Sequence, residues 1–396
     1  MKPKLLFVIP SMDAGGAEKA LINLLHLLEN EHYEIDLVLF QKKGLFLSQL
    51  PESVRLIDIP GDYYNFTKSF PKSLVTLIFK GKFKLAIDRI YYSMVLRKEK
   101  NTAVAEQKAW KYLSKSIRVL DGVYDAAIGF LEKSSIYYVV DKVNAKNKIG
   151  WIHNDYQKLR QDRSLDSPYF EKLNKIVTVS ELCLQSLNDC FPEYISKTFF
   201  LENVISKDWM LEQAEKEKPG FDPNFINFLS IGRLSWQKGF DIGIKAFSLI
   251  APDRLKQIKW YIIGKGEDEK KLSELIKKYK LNETVFLVGL KSNPYPWLKF
   301  CNIYFQPSRF EGKSIAIDEA KLLNKPILAA DFSTVNDQLT HLENAFISKT
   351  DENSIAEAIE YLLGHKELRD KFVKNLEDFQ IDENQILNKF KNLING

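Results

Sequence analysis

The chain has 396 residues and a formal net charge of +5, a length natural for two hydrophobic cores rather than one. No run approaches the apolar length of a membrane span, and the apolar start, residues 5–10, is too short for a signal peptide and runs straight into fold. Cys183, Cys190 and Cys301 lack metal-ligand spacing and fit reduced thiols in a cytosolic protein.

Short apolar runs alternate with longer amphipathic segments in both halves, which predicts an α/β fold of parallel sheets wrapped by helices. In the first half the expected strands are 5–10, 35–40, 54–59, 126–130, 148–152 and 176–179. In the second they are 228–232, 260–263, 285–288, 303–306 and 327–330. The connection is expected near 205–225, where Pro219-Gly220 and Pro223-Asn224 punctuate a charged stretch. This predicts an N-terminal Rossmann-like domain over 1–205, a C-terminal one over 206–380, and a separate amphipathic helix in 381–396. Two such sheets facing each other leave a central cleft at the carboxyl ends of their strands, where ligands bind.

Six places carry candidate chemistry. The first strand is followed by Asp13-Ala14-Gly15-Gly16-Ala17-Glu18-Lys19, where adjacent glycines let backbone N–H groups approach a ligand at the start of a helix. A later strand ends in Gly150-Trp151-Ile152-His153-Asn154-Asp155. In Gly232-Arg233-Leu234-Ser235-Trp236-Gln237-Lys238-Gly239 a strand end displays two cations above the predicted cleft, which suits a diphosphate. Glycine turns close two further strands, at Gly264-Lys265-Gly266 and at Gly289-Leu290. Finally, Arg309-Phe310-Glu311-Gly312-Lys313-Ser314-Ile315-Ala316-Ile317-Asp318-Glu319 turns from a buried strand into a helix. Two glutamates bracket that turn, and the helix's first N–H groups can hold an anion. Phosphate and sugar hydroxyls on one ligand suit such a place.

Residues 62–118 depart from the alternation. They read as mostly helical and hold thirteen Lys/Arg against four Asp/Glu, about +9. Phe66, Phe70, Phe79, Phe83, Tyr91, Tyr92, Trp110 and Tyr112 are interleaved. Two readings stand: a basic amphipathic surface for anionic lipid, or core aromatics under a solvated lysine face. No nucleic-acid motif accompanies the charge, so nucleic acid is not expected as a partner.

Glu311 and Glu319, with seven residues between them, resemble the Glu-x7-Glu signature of retaining glycosyltransferases of family 4. The Gly-Gly-Ala-Glu turn and the Gly-Arg…Lys-Gly segment agree, and the resemblance covers nearly the whole chain. It implies the GT-B fold, with the C-terminal helix crossing back to the N-terminal domain. It implies that Gly15 and Gly16 face the donor or acceptor, and that Arg233 and Lys238 bind the donor diphosphate and stabilise the leaving group. Glu311 would contact the donor hexose, Glu319 the nucleotide ribose, and the backbone of Gly312, Lys313, Ser314 and Ile315 phosphate and sugar. His153 matches a histidine that reaches the donor sugar or the acceptor; Asp155 is a candidate acceptor-side base, and Asn203 a pointer to the donor. Gly264 matches the family's second C-domain turn, and main chain at Gly289 and Leu290 would face the nucleobase, uracil or guanine. Lys313 and Ser314 depart from the family's apolar-Pro pair, which leaves the donor sugar open.

The implied reaction moves a hexosyl or N-acetylhexosaminyl unit from a nucleotide sugar, UDP-linked or, alternatively, GDP-mannose, to a saccharide or polyprenyl-diphosphate-linked glycan. No cofactor is expected, and with no Asp-x-Asp triplet no metal. The expected location is cytoplasmic, at the inner face of the plasma membrane. A non-catalytic GT-B partner subunit and a UDP-N-acetylhexosamine epimerase are the alternatives.

Overall fold

A computed structural model describes residues 2–13, 15–205 and 207–395; Ala14 of the glycine turn lies outside them. The chain forms two compact units. One holds Met1–Asp13, Leu21–Glu202 and Asn384–Gly396; the other holds Ala14–Ala20 and Asn203–Glu383.

The first unit is built on seven parallel strands: β1 (Lys4–Ile9), β2 (Glu34–Leu39), β3 (Val54–Ile57), β4 (Tyr124–Gly129), β5 (Ala145–Trp151), β6 (Lys175–Thr178) and β7 (Thr198–Phe200), in the order β3-β2-β1-β4-β5-β6-β7. The strand order reverses beside β1, which pairs with β2 on one side and β4 on the other. Leu5 to Ile9 are all buried. Helices cover both faces of a parallel sheet, so its central strands read as continuous apolar runs.

The segment after β3 is helical: Tyr63–Phe66, Phe70–Phe79, Phe83–Lys98 and Thr102–Leu113. Phe66, Leu77, Ala86 and Trp110 bury into the same core as Leu6, Val8 and Tyr138. The last helix, Glu383–Asn395, belongs to this unit as well. Phe390 is fully buried and stacks on Phe7, with ring centroids 6.3 Å apart. The helix's final carbonyls find donors. Asn147 Nδ2 bonds Leu393 O at 3.1 Å and Ile394 O at 3.2 Å, and Lys175 Nζ bonds Leu393 O at 2.9 Å. Those carbonyls have no partner inside the helix, so these contacts fix its end.

The second unit has six parallel strands: β8 (Ile226–Ile231), β9 (Ile258–Ile263), β10 (Val285–Gly289), β11 (Ile303–Gln306), β12 (Ile327–Ala330) and β13 (Phe346–Ser348), in the order β10-β9-β8-β11-β12-β13. Its core lies on both faces: Phe247, Trp260 and Phe305 on one, Tyr261, Tyr304 and Ile317 on the other. The sequence reading missed β7 and β13. Both are three-residue edge strands with one neighbour each, too short to show a pattern.

Candidate functional site

In the second unit two loops are tied to each other at the carboxyl ends of β8 and β11. Gly239 is left-handed, with φ 66°, and a Cβ there would lie 1.9 Å from Pro307 O. Only glycine fits that approach. Arg309 grips Asp241 with two bonds of 2.7 and 2.8 Å, lies 4.8 Å over the Trp236 ring and donates to Trp236 O. The Arg309 N–H donates to Gln237 O, and Gln237 Nε2 donates to Phe310 O.

This zipper brings Lys238 to Glu311. Lys238 Nζ donates to Glu311 Oε1 at 2.7 Å. Ser308 Oγ and Gln306 Nε2 donate to the same oxygen at 2.6 and 2.8 Å. Behind them, Tyr304 OH donates to Gln306 Oε1 at 2.5 Å. The other oxygen, Glu311 Oε2, receives no hydrogen bond among the described residues. A buried carboxylate pinned through one oxygen can offer the other to a hydroxyl in a set direction. Arg233 is exposed and makes no ion pair among the described residues, so its charge is available to an anion.

The turn that follows is clamped by Gln338. Gln338 Oε1 accepts the Ser314 N–H at 2.8 Å, and its Nε2 donates to Ser314 O at 2.8 Å. Thr334 Oγ1 donates to Glu311 O. Ser314 is the cap of the helix Ile315–Leu322 and accepts the Ile317 N–H. Gly312 is buried here and Lys313 half-buried.

Glu319 differs from the expected open hydroxyl acceptor. It is fully buried. Its Oε1 accepts the Tyr295 hydroxyl at 3.0 Å and pairs with Lys19, which lies 4.5 Å over the Tyr295 ring. Lys19 comes from the same segment as Gly15 and Gly16, the piece that clusters with this unit. A buried carboxylate needs a positive partner, and Lys19 supplies it. Oε2 keeps no hydrogen-bond partner among the described residues. Burial and the adjacent carboxylate push the Tyr295 phenol well above its ordinary pKa.

Gly232, Gly264 and Gly289 form a rim at the ends of β8, β9 and β10. The Gly264 N–H bonds Gly289 O at 3.0 Å, and the Gly232 N–H bonds Ile263 O at 2.9 Å. A Cβ on Gly264 would lie 1.9 Å from Gly232 O, while one on Gly289 would meet nothing within 4 Å. Leu290 is exposed beside it, and Asn203 is buried within this unit.

In the first unit His153 follows β5. Its backbone N–H donates to Glu132 Oε1 at 2.7 Å. Its ring packs on Phe130 at 4.7 Å and stacks with Trp151. Burial holds its pKa down to about 3, so the imidazole is neutral. Nε2 is buried with no hydrogen-bond partner among the described residues. Glu132 is also buried, and burial raises its carboxyl pKa. Asp155 caps the following turn, accepting from Ser186 Oγ at 2.5 Å and from the Gln157 N–H.

Sequence reasoning passed over Gln306, Ser308, Thr334, Gln338, Tyr295 and Glu132. A glutamine closing an otherwise apolar strand was a legible signal for Gln306. Nothing local marks Gln338 or Glu132, which lie 24 and 21 residues from their partners.

Residues 212–379 match the family of glycosyl transferases group 1. An uncharacterized glycosyltransferase of Methanocaldococcus jannaschii is 32% identical over 171 residues, 42% of this chain and 42% of that one. The N-acetylgalactosamine-N,N'-diacetylbacillosaminyl-diphospho-undecaprenol 4-alpha-N-acetylgalactosaminyltransferase of Campylobacter jejuni is 25% identical over 94% of this chain and 93% of its own. Among solved structures, Anabaena HepE in complex with UDP-glucose superposes with a TM-score of 0.68 at 16% identity, covering 98% of each chain. The fold is therefore GT-B: two Rossmann-like parallel-sheet domains, with the last helix in the first.

Proposed function

We propose that this chain, whose residues 212–379 match the glycosyl transferases group 1, is a hexosyltransferase that carries out a retaining, metal-independent transfer from a nucleotide sugar to a glycan hydroxyl in cell-surface polysaccharide assembly. UDP is the favoured nucleotide. The observation that carries the reading is the tied pair of loops that joins Lys238 to Glu311 and leaves Glu311 Oε2 open.

In this reading Arg233 and Lys238 hold the donor diphosphate, and Glu311 Oε2 accepts a hydrogen bond from the donor hexose. The C1–O bond to the diphosphate breaks and a C1–O bond to the acceptor forms. The acceptor hydroxyl's proton passes to the leaving nucleoside diphosphate. The transition state has oxocarbenium character, and the fixed cations oppose the charge gathering on the leaving group. His153, neutral and with an unpartnered Nε2, contacts the donor sugar or acceptor. Gly15, Gly16, the Gly312–Ile315 turn, Gly264, Gly289 and Leu290 present backbone to the donor.

The Campylobacter relative's name supports a polyprenyl-diphosphate-linked acceptor, which belongs at the inner face of the plasma membrane. No helix among the described residues is long and apolar enough to cross a membrane. Contact would be peripheral, through the basic region 62–118.

The test is a thermal-shift panel with UDP, GDP, ADP and their sugars, with and without EDTA. A ligand at 100 times its Kd adds about 2.7 kcal/mol. A shift with one nucleotide that survives EDTA and is lost in Arg233→Ala/Lys238→Ala is expected. A full panel with no shift would refute the donor site and favour a non-catalytic subunit.

A further inference from the structure

The helical segment of the first unit ends in an apolar tip. The helix Phe70–Phe79 stops at Gly81, which is left-handed at φ 68°; the Lys82 N–H reaches back to Leu77 O at 2.8 Å. A Cβ on Gly81 would meet nothing within 4 Å, so the turn stands clear of the surrounding chain. Phe79 on one side of it is 88% exposed and Phe83 on the other 62%.

The exposure continues along both helices as stripes. Phe83, Ile87, Ile90 and Met94 are exposed at i, i+4, i+7 and i+11 of the helix Phe83–Lys98. That spacing keeps them on one face. Val75, Ile78 and Phe79 do the same on the preceding helix. The opposite faces are the ones that enter the core, through Leu77, Ala86 and the partly buried Leu74, Leu85 and Tyr92. Arg89, buried, locks the pair: its guanidinium lies over the Phe66, Phe70 and Tyr92 rings and bonds Lys68 O. The exposed stripe is thus a second apolar face on an element that already has one.

Its charge is of one sign. From Tyr63 to Lys98 the one acidic residue is Asp88, which is buried and paired with Lys115 at 2.7 Å. Lys80 and Lys84 are exposed at the tip, and Arg97 and Lys98 at the far end of the stripe. Phenylalanines at an exposed turn, a one-sided aliphatic stripe and a rim of cations with no carboxylate complement an anionic lipid surface, apolar below and negative at the headgroups.

We propose that the hairpin of Phe70–Phe79 and Phe83–Lys98 is a membrane-docking wedge, in which Phe79 and Phe83 enter the acyl boundary and Lys80 and Lys84 meet anionic headgroups. This deepens the peripheral attachment in the proposed function. Its readout, vesicle binding, needs no transferase activity.

The experiment is co-sedimentation of the full chain with vesicles of mixed phosphatidylglycerol and phosphatidylcholine, and of phosphatidylcholine alone. The chain should partition to the anionic vesicles, with a fraction held in high salt by the apolar contact. Phe79→Ser/Phe83→Ser should lower partition at least tenfold. Lys80→Gln/Lys84→Gln should lower it on anionic vesicles alone, about fivefold per lysine. All four side chains lie at the surface, so thermal melting should not change. Unchanged partition of the phenylalanine variant, or equal wild-type binding to neutral vesicles, would overturn the wedge. So would a lipid-free dimer that Phe79→Ser/Phe83→Ser dissolves, which would assign the face to a second copy. The nucleotide thermal shift of the same variants reads the donor site separately, so failure of either proposal is visible without the other.

Discussion

Lys238 and Glu311, 73 positions apart, meet at 2.7 Å on an oxygen that two further donors share. The lysine therefore does two things at once: it neutralises the carboxylate, and it stands where the ligand diphosphate is proposed to lie. Glu311 is held by Ser308 and Gln306 as well, so its position does not depend on the lysine alone. That separation makes the two residues distinguishable by substitution.

Glu311→Gln keeps the shape and leaves an acceptor for Ser308 and Gln306, but removes the charge and turns a donor toward the sugar. Transfer should fall by about 10²-fold or more, with nucleotide affinity within a few-fold of wild type. Glu311→Ala should in addition lower stability by about 1–3 kcal/mol, because buried donors lose their partner. The checks are turnover, calorimetric UDP binding and urea melts. Normal transfer by the glutamine variant would remove Glu311 from the chemistry.

Gly239→Ala should act on Glu311 without touching it. The left-handed φ costs an L-residue about 1–2 kcal/mol, and the new Cβ collides with Pro307 O. The loop carrying Ser308 and Glu311 must move, so both melting temperature and turnover should drop. A variant that melts like wild type would show that the two loops are not tied through this contact.

His153 makes stability pH-dependent. Burial holds its pKa at about 3 against an ordinary 6.5. Between those values the unfolded chain binds a proton that the native chain refuses. The stability contribution is therefore full above pH 6.5 and is lost as pH falls through the window, by about 1.4 kcal/mol per pH unit. His153→Gln should flatten this slope in urea melts run from neutral pH to about pH 5. An unchanged slope would mean the ring is protonated in the folded protein.

The helices of 62–118 show where pattern reading stops. Their lysines and aromatics left two readings open, lipid-facing surface or core, and the residues divide between core and surface. Phe66 and Trp110 are core, while Phe79 and Phe83 are exposed. Both kinds sit on amphipathic helices of similar composition. Which face turns inward depends on packing partners elsewhere in the chain, such as Leu6 and Tyr138, and those are not local.

The sequence by itself determined the α/β class, eleven of the thirteen strands, the glycine turns at their ends and the residue types that gather there. These follow from short-range rules: apolar runs for strands covered on both faces, and glycine where backbone must turn left or pass close. Only the tertiary structure decided which charges are open and which are taken. Glu311 and Glu319 look alike in sequence, yet Glu311 keeps one oxygen open and Glu319 is sealed by Lys19 and Tyr295. The difference comes from partners brought in by distant segments of the chain. In a dry interior a carboxylate's state is set by the nearest cation and hydroxyl, and spacing along the chain does not specify which those are.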